Sequence, residues 1–161
     1  TDNYNPRTGL VSLSQSTYGS ISVAALAVAA HEIGHVMQHQ EGYIPIKIRN
    51  AILPAASIGS TAAPYIVILG AIMGSYNLAM IGVYLFLAML IFQIVTLPVE
   101  LNASGRGLEM LESGGYISYD QRGDAKAVLK AAAMTYIVAA LSTLVSFLRL
   151  LMIANNSRRR N

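Results

Sequence analysis

From Asn50 to Val99 the chain has no Asp, Glu, Lys, Arg or His. A helix needs about 20 apolar residues to cross a bilayer, so this run is long enough for two crossings joined by a tight turn. Gly74-Ser75-Tyr76-Asn77 is the polar, turn-rich point near its middle. The pattern predicts one span over about Ile52–Met73 and a second over about Leu78–Pro98. A third apolar run, Ala131–Ile153, is interrupted only by Arg149, close enough to one end for its side chain to reach the headgroups. Pro54 and Pro64 lie in the first span and read as ordinary kinks. The small residues between Ala55 and Ala63 suit close helix packing.

The remaining segments have other periods. Asn5-Pro6-Arg7-Thr8-Gly9 is turn chemistry, and Val11-Ser12-Leu13-Ser14 alternates as a half-buried strand does. Ser20 or Ser22 can cap a helix over about Ile21–Gln40 that stops near Gly42. Residues 101–113 form a short helix ended by Gly114-Gly115. From Arg122 another helix runs without a break into the third span. The expected architecture is a mainly α integral membrane protein with about three transmembrane helices plus a small part outside them with a short N-terminal strand or hairpin. The expected segments are 1–49, 50–99, 100–130 and 131–161.

Composition narrows the class. The chain has 161 residues, 54% hydrophobic and 12% charged, against about a quarter charged in soluble domains. That excludes a largely disordered chain. With no cysteine, disulfide scaffolds, thiol nucleophiles and thiolate metal sites are excluded. A net charge of +3, with its clearest basic run at Arg158-Arg159-Arg160, does not fit a nucleic-acid binder. Lys47, Arg49, Arg106, Arg122, Lys126 and Lys130 outweigh that tail and favour the face of residues 1–49 and 100–130 as cytoplasmic.

His31-Glu32-Ile33-Gly34-His35 carries the chemistry. On a helix, His31 and His35 lie one turn apart on one face, where two neutral imidazoles can reach one zinc ion. Glu32 can act as general base on water at that ion and carry the proton to the leaving amine. The motif follows the eight-residue run Val23–Ala30, where polar groups without partners are costly.

A catalytic zinc usually has three protein ligands and an open position. His39 extends the stripe but lies about 12 Å along the axis from His31, which favours a supporting or surface role. Glu100 is the better third ligand. It is the first charge after the apolar run, and two crossings return the chain to the face it left. Glu109 and Glu112 compete from a more charge-mixed helix. Asn102 and Tyr136 are candidates for stabilising an oxyanion.

At these residues the chain resembles the bacterial membrane-bound neutral zinc metallopeptidases of the YugP type. The matching pieces are Tyr4-Asn5-Pro6-Arg7 with Leu13-Ser14, Val28 to His35 with Gln38-His39, Glu41-Gly42-Tyr43, Arg49-Asn50, Thr96 to Ser104, and Ala131 to Tyr136. The resemblance implies an integral-membrane gluzincin, distantly similar to the CAAX prenyl endopeptidases, with one zinc ion. In those relatives a Glu-x-x-x-Asp motif supplies the third ligand and an outer carboxylate partner. Glu100 matches the first position, but Ser104 stands at the second, so the outer partner of the histidines stays open among Ser104, His39 and others. The family's N-terminal anchor implies that Thr1 is an internal start.

The leading reading is therefore a multi-pass zinc endopeptidase of the cell membrane, with peptide or protein substrates and the lipid bilayer as partners. The strand at Val11–Leu13 offers an edge for an extended substrate, and a homo-oligomer stays open. The alternative is a zinc-stabilised membrane scaffold that binds partners without cleaving them; the presence of Glu32 argues against it. An intramembrane protease of the site-two type would need an Asp-Gly motif, and no Asp here precedes a Gly.

Overall fold

A computed structural model describes residues 1–159; Arg160 of the basic run lies outside the described residues. The elements in chain order are β1 (Asn3–Asn5), β2 (Leu10–Ser12), α1 (Gln15–Tyr18), α2 (Val23–Gln40), α3 (Ile44–Thr61), α4 (Ala63–Ile72), α5 (Tyr76–Ser113) and α6 (Tyr119–Arg159). The chain forms two compact units. One comprises Thr1–Ile46 with Leu97–Thr135, and the other Lys47–Thr96 with Tyr136–Asn161.

In the first unit, β1 and β2 form an antiparallel hairpin that pairs Tyr4 with Val11. The Asn5 side-chain oxygen accepts from the Arg7 amide at 2.9 Å, and Gly9 closes the turn at φ 68°. Asp2 accepts from the Ser14 amide and hydroxyl at 2.8 and 3.1 Å, which ties the hairpin to the start of α1. Ser22 caps α2, its hydroxyl accepting from the Ala25 amide. The alanine-rich half of α2 packs into a core of Ala27, Ala30, Leu111, Ile117, Ala125 and Leu129.

Gly34 and Gly107 show why small residues fill this contact. A Cβ at Gly34 would collide with the Ala103 carbonyl. One at Gly107 would lie 2.5 Å from the Ala30 oxygen. The backbones of α2 and α5 therefore touch directly, and the turn of α2 that carries the histidines lies against the turn of α5 around Ala103.

The second unit is an apolar helical assembly with a core of Ala63, Val67, Ala79, Val83, Phe86, Leu150 and Ala154. It too relies on close approaches, since a Cβ at Gly59 would strike the Leu85 carbonyl. Ile68, Leu69, Ile72, Ile81, Tyr84 and Ile94 are exposed on it.

Two helices are long and apolar enough to cross a membrane, α5 and α6. A third span results if α3 and α4 are counted as one bent crossing. The structure corrects the expected first span over Ile52–Met73. Helix begins earlier, at Ile44, and breaks at Ala62 with a bend of 50°. The two prolines act differently. Pro54 stays inside α3, whereas Pro64 stands in the first turn of α4, where its missing N–H costs nothing and its ring bars a straight continuation. The expected separation between the second span and a short 101–113 helix is also absent. α5 runs through Pro98 to Ser113 as one helix, and Gly115, at φ 70°, follows its end. A proline inside a helix removes one hydrogen bond, which a long apolar helix tolerates.

Candidate metal centre

Two helices of the first unit build the site. α2 presents His31 and His35 one turn apart, their ring centroids 4.7 Å from each other. α5 supplies Glu100, whose Oε2 lies 3.1 Å from His31 Nε2 and 3.6 Å from His35 Nε2. One donor atom from each residue falls within 4.8 Å of the other two. The Glu100 side chain is 5% exposed, against 18% for His31 and 12% for His35, so the cluster is buried on the α5 side and more open on the imidazole side.

Each imidazole is held from behind. His31 Nδ1 lies 2.9 Å from Ser104 Oγ, one turn beyond Glu100 on α5. His35 Nδ1 lies 3.0 Å from Gln38 Oε1. With the Nδ1 atoms occupied, both Nε2 atoms face the Glu100 carboxylate. Two imidazole nitrogens and one carboxylate oxygen, with outer hydrogen-bond partners on the rings, form a donor set that fits a hydrolytic zinc ion. Electrostatics agree with this. Burial opposes a positive charge on His35, but the hydrogen bond to Glu100 and its charge prevail and raise the ring's proton affinity. The Glu100 carboxylate thus favours positive charge at the imidazole face.

Glu32 is buried beside the histidines. Desolvation raises its carboxyl pKa, and the positive charge available on His31 and His35 opposes that rise only partly.

The structure brings together His31, His35 and Glu100, with Ser104 in contact. His39 is exposed, its Nδ1 3.3 Å from the Tyr4 hydroxyl. Asn102 turns its side-chain oxygen to Gln38 and Arg106, at 3.0 and 2.7 Å. Tyr136 is exposed and belongs to the other unit. Glu112 pairs with Arg122 at 2.8 Å, and Glu109 is exposed.

Sequence reasoning did not give Gln38 a role. It is fully buried, and its amide nitrogen donates to the Val99 carbonyl at 2.7 Å. The available signal was spacing: a glutamine three residues after His35 shares its helix face.

The chain is 42% identical to the Bacillus subtilis (strain 168) protein named "Putative membrane protease YugP", over 161 residues, covering 100% of this chain and 72% of that protein. No solved structure matches it. A family model described as "Putative neutral zinc metallopeptidase" matches residues 1–155, and the chain belongs to that family.

Proposed function

We propose that this protein is a membrane-embedded zinc endopeptidase. The observation that carries the reading is the convergence of His31 Nε2, His35 Nε2 and Glu100 Oε2 beside a buried Glu32. His31, His35 and Glu100 would hold one zinc ion, and Ser104 and Gln38 orient the imidazoles. Zinc held there supplies Lewis acidity to a peptide carbonyl and to water. Glu32 takes the proton from the attacking water and delivers it to the leaving amine. A base works best with a pKa near the operating pH, and burial moves Glu32 in that direction. The name of the Bacillus relative, a membrane protease, supports the same reading.

Metal analysis with a peptidase assay tests it. Purified protein should carry one zinc per chain. Glu32→Gln should keep the metal and lose about 10²–10⁴ in rate. Near-normal turnover by metal-loaded Glu32→Gln protein refutes the mechanism.

The multi-pass arrangement, with the catalytic residues on the cytoplasmic face, belongs to the same proposal. Its support is the hydropathy of the apolar helices and the distribution of Lys and Arg. Ser75→Cys and Ser118→Cys report on it, because the chain has no native cysteine. An impermeant thiol reagent should label them from opposite sides. Labelling of both from one side rejects the two-crossing hairpin.

A further inference from the structure

The geometry points to Gln38 as the positioning residue of the metal centre: its buried amide fixes which nitrogen His35 presents and ties that choice to the turn of α5 that carries Glu100. The inference deepens the zinc reading above and rests on it.

The direction of every hydrogen bond in this network is set at its ends. The Val99 carbonyl can only accept, so the group 2.7 Å from it is the Gln38 amide nitrogen. Arg106 can only donate, so the Asn102 atom 2.7 Å from its Nε is the side-chain oxygen. That same oxygen accepts from Gln38 Nε2 at 3.0 Å. Gln38 therefore has no freedom to flip, and its oxygen must face His35 Nδ1, at 3.0 Å. An amide oxygen accepts, so the proton of His35 sits on Nδ1. The ring can then offer a metal only Nε2, which faces Glu100, once the proton that a hydrogen bond to Glu100 uses has left.

The same amide also sets position. Val99 and Asn102 flank Glu100 on α5. Gln38 bonds to both of these neighbours while holding His35 on α2. One side chain thus couples the tautomer of one ligand to the placement of another. Arg106 extends the chain of contacts to Glu41 at 2.6 Å, just past the end of α2. Gln38 is 0% exposed, so solvent cannot substitute for any of its partners.

Zinc affinity, measured by chelator competition in detergent, tests the assignment beside thermal stability. Gln38→Met keeps the volume and removes both polar functions; it should bind zinc about 10–100-fold more weakly. Gln38→Glu keeps an acceptor for His35 Nδ1 but loses the donor to both Val99 and Asn102, so it should retain clearly more affinity than Gln38→Met. Asn102→Ala loosens the far side of the amide without touching the imidazole. It leaves the Val99 bond and the oxygen facing His35 in place, so it should lower the melting temperature while weakening zinc far less than Gln38→Met does.

A merely structural role for Gln38 would instead make zinc affinity follow the melting temperature across all three variants, and that result overturns the inference. Wild-type affinity in folded Gln38→Met overturns it as well. If Gln38→Met does not fold, Gln38→Asn serves in its place, since the shorter amide cannot reach both helices. Its zinc affinity should fall about 10-fold or more, and an unchanged value overturns the proposal. A wild-type protein that binds no zinc overturns the zinc reading itself, and this inference with it.

Discussion

The two units solve the same packing problem with different chemistry. Each brings helix backbones into contact where a glycine meets a carbonyl, Gly34 against Ala103 in one and Gly59 against Leu85 in the other. Yet all 8 acidic residues and all 3 histidines lie in the unit built from Thr1–Ile46 and Leu97–Thr135. That unit buries Glu32, Gln38 and Glu100. In the other unit the polar residues buried as a whole, among the described residues, are Thr96 and Thr143, beside single buried atoms of Arg49 and Gln93, and Thr96 donates to the Phe92 carbonyl of its own helix at 2.7 Å. A hydroxyl can be satisfied locally, whereas a buried carboxylate or imidazole needs a partner from another element. Close helix contact in the first unit therefore places ionisable groups against each other, and in the second it packs mainly apolar side chains.

The largest expected contrast lies within the first unit. Glu100→Ala removes the α5 member of the cluster and should purify largely without zinc, a loss well beyond the 10–100-fold typical of an outer partner. His39→Ala, whose ring contacts Tyr4 instead, should bind zinc as the wild type does. Metal content after chelator titration ranks the two. Zinc retained by Glu100→Ala and lost by His39→Ala would reverse the assignment.

Matched glycine substitutions set the two units against each other directly. Gly34→Ala and Gly59→Ala each force a Cβ into a backbone carbonyl, and overpacking of this kind costs about 1–3 kcal/mol. Both should lower the melting temperature. Only Gly34→Ala should also weaken zinc, because the displaced pair of helices carries the ligands. Equal zinc loss in both variants would mean that the centre depends on overall stability rather than on the α2–α5 contact.

The smallest effect is expected at Ser104. Ser104→Ala should weaken zinc about 10–100-fold with little change in melting temperature, since only the hydroxyl behind His31 is lost. An unchanged affinity would show that His31 needs no partner at Nδ1.

Much of the molecule was legible in the residues themselves. The uncharged stretch from Asn50 to Val99 announces apolar helices because charge is costly in hydrocarbon. The 3.6-residue period alone places His31 and His35 on one face, and the turn residues Asn5 and Gly9 mark the hairpin. These are local properties, set by neighbours a few positions away. Other features depended on contacts made far along the chain. Pro54 and Pro64 look alike in sequence, yet only Pro64 stands at a helix start, and Pro98 interrupts nothing. Glu100 was favoured over Glu109 and Glu112 by topology, but only the meeting of α5 with α2 brings its carboxylate to the two imidazoles. Ser104 reached His31, and the Gln38 amide reached Val99 and Asn102, only because Gly34 lets the two backbones touch. Hydrogen bonds between residues more than 60 positions apart leave no periodic trace in the sequence. They are fixed by how closely two helices can approach, which only the tertiary structure decides.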